Sequence, residues 1–171
     1  MRRMFAVAVA AITVAAALTA ATPQAADAAP IPVRIGKQSA APTQWGGCFT
    51  WCAFRNRATK KCLDDSFRAG LRTFPCNGTD HQRWRYDFTG YLVNQNTGRC
   101  IDDSIQHGLR AFPCNGSVYQ RWVLNFNNRL PAMTYIHFGS QSTGRFMDDS
   151  FPYGLRAFPR NTSDYQLFWA H

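Results

Sequence analysis

The residues best placed to do chemistry are three Asp-Asp-Ser runs, at Asp64-Asp65-Ser66, Asp102-Asp103-Ser104 and Asp148-Asp149-Ser150. Two carboxylates flanking one bond would suit glycoside hydrolysis. Neighbours in a strand point to opposite faces, however, so each pair splits, and its threefold recurrence argues against a unique catalytic centre. All ten acidic residues are Asp, which removes every mechanism that needs a Glu acid, base or metal ligand. No Gly-rich phosphate loop is present, and His107, His137 and His171 have no recognisable nucleophile partner. The expectation is a protein without catalysis and without a cofactor. The second Asp of each run (Asp65, Asp103, Asp149) and the following Ser are expected to bond nearby backbone in a turn. A metal site fits poorly, because there is no Cys-x-x-Cys pair and the four His are scattered.

These runs belong to a longer repeat. Cys62-Leu63-Asp64-Asp65-Ser66 recurs as Cys100-Ile101-Asp102-Asp103-Ser104 and as Phe146-Met147-Asp148-Asp149-Ser150. Eight residues after each start comes Gly70-Leu71-Arg72-Thr73-Phe74-Pro75-Cys76-Asn77, then Gly108-Leu109-Arg110-Ala111-Phe112-Pro113-Cys114-Asn115, then Gly154-Leu155-Arg156-Ala157-Phe158-Pro159-Arg160-Asn161. A third block closes each unit: His81-Gln82-Arg83-Trp84, Tyr119-Gln120-Arg121-Trp122 and Tyr165-Gln166-Leu167-Phe168. The first two units are offset by 38 residues and the last two by 46, and an eight-residue loop insertion near Phe126 to Met133 accounts for the difference.

The elements that must position these blocks are short strands. Each unit of about 40 residues holds apolar patches divided by Gly, Pro, Asn and Asp, the pattern of about four strands joined by tight turns. Thirteen Phe, 12 Gly and 9 Pro, with no Glu and only three Lys, favour the same all-β reading. One unit cannot bury its apolar face, whereas three around an axis share a core. The expected core layers are Leu63, Leu71 and Trp84, with Ile101, Leu109 and Trp122, and Met147, Leu155 and Phe168. Residues two apart in a strand share a face, so Leu71 pointing inward sends Arg72 and Phe74 outward together, and likewise Arg110 with Phe112 and Arg156 with Phe158. Cys62 with Cys76 and Cys100 with Cys114 have identical separations, which predicts two disulfides inside units one and two, each worth about 3 kcal/mol in the chain-entropy model. Cys48 and Cys52 remain, and a bridge between them requires a turn.

At this point the three Gln-x-aromatic motifs, each about 20 residues after a Leu-Asp-type block, resemble the ricin B-chain type β-trefoil lectins. Within that family the Leu-Asp-x-Ser, Pro-Cys-Asn-Gly and Tyr-Gln-Arg-Trp pattern is most similar to the actinohivin-like actinomycete lectins with mannose-type glycan pockets. The resemblance implies a β-trefoil of twelve strands with one sugar pocket per repeat. Carried over by position, Asp64, Asp102 and Asp148 would accept from sugar hydroxyls, Asn77, Asn115 and Asn161 supply a polar contact, and Tyr119 and Tyr165 an aromatic one. Arg72, Arg110 and Arg156 with Phe74, Phe112 and Phe158 would form the pocket walls, while Gln82, Gln120 and Gln166 orient the Asp. The chain departs from the pattern in having Arg where those repeats carry Tyr, and His81 where repeat one would have Tyr. Each Arg either stacks on a ring or grips a carboxylate or sulfate of an acidic glycan, or else it pairs with its neighbouring Asp and fills the pocket with a salt bridge, leaving no lectin activity.

Outside the repeats, Arg2 and Arg3, an apolar run from Phe5 to about Ala21 and Ala26-Asp27-Ala28 read as a secretory leader over residues 1–28. Residues 29–46 read as an extended arm and residues 47–171 as one trefoil domain, with repeats at about 52–88, 89–127 and 134–171. The formal charge of +9 loses two Arg and one Asp with the leader, leaving +8, which favours anionic surfaces. The expectation is a secreted monomer that binds glycans, mannose-type or acidic, with no specific nucleic acid and no stable membrane insertion. The competing expectation is a protein-binding, inhibitor or toxin-accessory trefoil with inactive pockets, in which the insertion carries the function.

Overall fold

The computed structural model describes residues 50–127 and 135–170. The leader, the arm and the pairing of Cys48 with Cys52 lie outside the described residues. Unit one contributes β1 Phe54–Asn56, β2 Lys61–Ser66, β3 Gly70–Pro75 and β4 Trp84–Tyr86. Unit two contributes β5 Leu92–Asn94, β6 Arg99–Ser104, β7 Gly108–Pro113 and β8 Trp122–Asn127. Unit three contributes β9 Tyr135–Ser140, β10 Phe146–Ser150, β11 Gly154–Phe158 and β12 Phe168–Ala170. One turn of 3₁₀ helix precedes the fourth strand of each unit, at Asp80–Gln82, Val118–Gln120 and Asp164–Gln166.

Second and third strands pair as antiparallel hairpins in the same register, with Asp64 opposite Arg72, Asp102 opposite Arg110 and Asp148 opposite Arg156. The fourth strand of each unit pairs with the first strand of the next, β4 with β5 and β8 with β9, and β12 returns to β1 to close the ring. Each fourth strand also ties back to the start of its own unit: Trp84 bridges Cys52, Trp122 donates its backbone N–H to the Gly90 carbonyl at 2.8 Å, and Phe168 lies opposite Ile136. This closed threefold array of twelve strands is a β-trefoil. Among the described residues no helix is long and apolar enough to cross a membrane.

The core is one cluster shared by all three units. Leu63, Trp84, Ile101, Trp122, Met147 and Phe168 are buried in it as expected. The indole N–H groups are satisfied internally, Trp84 donating to the Leu63 carbonyl at 3.0 Å and Trp122 to that of Ile101 at 2.9 Å. Phe54, Leu92 and Phe138, each eight residues before its unit's first block, complete the layers. Leu71, Leu109 and Leu155 are a correction: they are only half-buried, packed on the edge of the cluster. Their cross-strand partners explain this, because Leu71 lies opposite Asp65, Leu109 opposite Asp103 and Leu155 opposite Asp149. Each leucine therefore flanks a buried carboxylate.

Those carboxylates overturn the turn expectation for the second Asp of each run. Asp65 accepts from Thr97 and from Arg99 of the next unit. Asp103 does the same with Thr143 and Arg145. Asp149 closes the circle on unit one, accepting from Thr59 and, at 2.8 Å, from the Thr73 hydroxyl. The cause is the strand alternation itself: with the first Asp outward the second must point inward, where a carboxylate is tolerated only if paired. Lys61 replaces the clasp arginine in unit one, and Thr73 supplies the missing donor where units two and three have Ala111 and Ala157. The serine half of the expectation holds in two units, where Ser66 and Ser104 accept from the Ala69 and His107 N–H groups at 3.0 and 3.1 Å.

Both intra-unit disulfides are present, Cys62–Cys76 and Cys100–Cys114. At the equivalent place in unit three the Arg160 guanidinium lies 5.4 Å from the Phe146 ring, so a cation–π contact stands where the other units have sulfur. Gly139 makes room for that ring, since a Cβ there would lie 3.2 Å from two Phe146 carbons. The insertion is a further correction. It lengthens strands as well as a connection: β8 and β9 pair over six rungs where β4 and β5 pair over three. Its remainder, residues 128–134, lies outside the described residues.

Candidate functional site

The outward face of each β-hairpin carries the same constellation. Asp64, Asp102 and Asp148 project from the middle of the second strands and are at most 2% exposed. The Arg directly across the hairpin closes on each of them, with Nε to carboxylate oxygen distances of 2.9 Å for Arg72 and 3.1 Å for Arg110 and Arg156. Each guanidinium then lies over the ring of the Phe two residues on: 4.3 Å for Phe74 and Phe112, 4.1 Å for Phe158. Arg and Phe share a face because they alternate by two, and the Asp shares it because it is their cross-strand neighbour. Of the open alternatives the structure shows the pairing: each Arg bridges its Asp, and the ring it stacks on is the Phe of its own strand. The Arg side chains remain 41%, 33% and 31% exposed over almost fully covered carboxylates, so a ligand meets Arg before it meets Asp.

The loop after each third strand is held from below by the buried Gln. Gln82, Gln120 and Gln166 donate to the carbonyls of Pro75, Pro113 and Pro159 at 3.0, 2.9 and 2.9 Å. Their Oε1 atoms accept from the N–H of Asn77, Asn115 and Asn161 at 2.8, 3.0 and 2.9 Å. The Gln thus fixes the Asn backbone, which the sequence reasoning did not foresee. Only in unit one does a Gln also reach the Asp, Gln82 donating to Oδ2 of Asp64 at 3.3 Å. Asp64 thereby spends both oxygens, whereas Asp102 and Asp148 give one oxygen to Arg, and the Gln of their own units bonds elsewhere. Asn77, Asn115 and Asn161 fold their side-chain oxygens onto the N–H of Thr79, Ser117 and Ser163 as Asx turns.

The aromatic position differs between units. Tyr119 is 44% exposed, and Tyr165 is half-buried with its ring edge-on to Phe151 at 6.3 Å. His81 is half-buried with Nδ1 3.2 Å from the Asp65 carbonyl oxygen. Sequence reasoning missed the hairpin tips: Phe67, Ile105 and Phe151 are 75%, 76% and 68% exposed, and Tyr153 lies 4.5 Å from the Arg156 guanidinium. The signal was there, since a large apolar residue directly after Asp-Asp-Ser in all three turns is not what a turn requires. A cleft of about 260 Å³ is lined by Ala53, Cys62, Cys76, Gly78, Thr79, Gln82 and Arg83, with Asp64, Arg72 and Phe74 not among its walls. Among the described residues no group of three His, Cys, Asp or Glu is placed to hold a metal.

A hairpin face bearing Asp, Arg and an aromatic ring, three times over on a trefoil, is the arrangement to set against known proteins. Residues 50–132 match the ricin-type beta-trefoil lectin domain. No curated protein matches the chain. Among solved structures, the designed threefold-symmetric protein ThreeFoil is similar at 19% identity and TM-score 0.59, covering 70% of this chain and 96% of its own. The hemolytic lectin CEL-III is similar at 15% identity and TM-score 0.63, covering 72% of this chain but only 32% of its own, so the chain spans about a third of that lectin. SeviL, solved bound to asialo-GM1 saccharide, is similar at 14% identity and TM-score 0.59, covering 72% of this chain and 97% of its own. Likeness at these identities establishes the trefoil fold.

Proposed function

We propose that the protein is a secreted lectin that binds extracellular glycans through its repeat faces and performs no catalysis. The observation that carries the reading is the threefold recurrence of a covered Asp, an Arg stacked on an exposed Phe and a neighbouring polar loop. The match of residues 50–132 to the ricin-type lectin domain and the saccharide bound to SeviL support it. A sugar offers hydroxyls on one edge and C–H groups on a face, and this set answers both: N–H edges of Arg and the second oxygen of Asp for the hydroxyls, the Phe and Tyr rings for the C–H face. Units two and three are the working pockets in this reading, because Asp102 and Asp148 keep an oxygen that Asp64 gives to Gln82.

Because the Arg charge is balanced by its Asp, each pocket as a whole is neutral and suits neutral sugars, the mannose-type class included, over acidic ones. Shallow open sites bind weakly singly, and two or three on one rigid body act together on branched or repetitive glycans. Catalysis has no place in the scheme: the two Asp of each run face opposite ways and both are paired with Arg or Thr. The competing protein-binding reading draws on the β8–β9 hairpin, the element that breaks the threefold pattern. A glycan array probed with the purified protein and with its D102A/D148A variant separates the two. Selective binding that the variant loses is the expected result. Silence on neutral and acidic glycans alike, or binding that survives in the variant, overturns the pocket reading and directs attention to the hairpin.

A further inference from the structure

The threefold pattern also breaks at the seam where β12 meets β1, in a basic and aromatic surface that the repeat faces do not use. Trp169 lies opposite Arg55 in register. The Arg55 guanidinium is 5.2 Å from the indole centroid and the Lys60 ammonium 5.7 Å. Tyr135 meets Trp169 edge-on at 5.8 Å and carries Arg57 4.9 Å over its own ring. The matching rungs of the other two seams hold Arg85 opposite Val93 and Val123 opposite Gly139; Arg85 lies 5.3 Å over the Trp51 ring, but among the described residues no second cation joins it there as Lys60 joins Arg55.

Lys60 is the sharper departure. It adopts a left-handed backbone, φ 61°, where the other units place Gly98 at φ 65° and Gly144 at φ 69°. A lysine in that conformation is strained, and strain kept at a surface position is a pointer to use. The charge is also unspent. Arg55 donates its Nε to the Lys60 carbonyl at 2.9 Å, and among the described residues no carboxylate pairs with Arg55 or Lys60. Arg57 alone has an acid, Asp164 at 3.3 Å.

We propose that this seam is a second binding site, for the anionic groups of an acidic polysaccharide chain. A guanidinium stacked on an indole keeps in-plane N–H edges for a sulfate or carboxylate, and a lysine beside it adds a point charge to the same anion or its neighbour. The rings here lie under cations, which favours bound anions over stacked bases. The proposal does not rest on the pocket reading, since none of its residues belongs to a repeat face.

The test is binding of the purified protein to dextran sulfate, with neutral dextran and oligo(dT) alongside, across a salt series. The variant K60G/R55Q restores at position 60 the residue that the other units carry, so it keeps the fold. We expect it to bind dextran sulfate about tenfold or more weakly at low salt, with a salt dependence shallower by about two ion-pair equivalents. D102A/D148A, which frees the Arg110 and Arg156 charges, should bind dextran sulfate at least as tightly as the parent protein whether or not it has lost glycans on the array. Unchanged affinity in K60G/R55Q, loss of dextran sulfate binding in D102A/D148A, or oligo(dT) bound as tightly as dextran sulfate would each overturn the proposal.

Discussion

Adjacent aspartates in this protein do opposite things, and the strand pleat is the reason. Asp102 faces out under a partly exposed Arg110, while Asp103 faces in and is sealed by Thr143 and Arg145. Removing the fully buried Asp103 leaves Arg145, 24% exposed, and the Thr143 hydroxyl without their acceptor, so D103A should cost about 3 kcal/mol in urea denaturation, the low end for a broken buried pair. For D102A the loss should stay below about 2 kcal/mol, because Arg110 is a third exposed and returns to water. In glycan binding the order should reverse, with D102A impaired and D103A, where it folds, unimpaired. The outward partnership of Arg and Phe was legible from two-residue alternation, while the first Asp entered the site through the family resemblance. The Arg–Asp closure was one of two open alternatives, since spacing puts two side chains on one face without saying whether they touch each other or a ligand.

At the scale of elements, unit three departs most from its siblings. Its β9 strand places His137 against Phe146 at 6.3 Å, with Nδ1 buried and unpartnered. Burial first, and the nearby Arg160 charge second, lower the His137 pKa from 6.5 to about 4. The unfolded chain therefore takes up a proton between pH 6.5 and pH 4 that the folded chain refuses. Stability should be full above pH 6.5, decline through that window and level off below it, by at most about 3 kcal/mol from this group. Urea midpoints at pH 7.5 and pH 4.5 measure the decline, and H137L should flatten it. Phe146 and Arg160 were recognised in the sequence as replacing a disulfide. Their contact with each other and the environment of His137 depend on how β9 lies over β10, which repeat alignment does not specify.

Over the whole molecule, the three units are bound into one ring by the inward carboxylates and by β12 pairing with β1. No unit has a core of its own, so unfolding should be a single transition, with far-UV circular dichroism and tryptophan fluorescence giving coincident urea curves. A lagging probe would mean that one unit melts separately. The sequence by itself determined the all-β class, the three units, two disulfides and the outward partnership of Arg with Phe. All of these follow from periodicities of two within a strand and about 40 between repeats. Tertiary structure alone decided that the second aspartates clasp the next unit, that Leu71, Leu109 and Leu155 stop at the core's edge, and that Lys60 reaches Trp169. These depend on ring closure, which brings Thr59 to Asp149 and Arg55 to Trp169 from opposite ends of the domain, and local alternation carries no record of partners so distant along the chain.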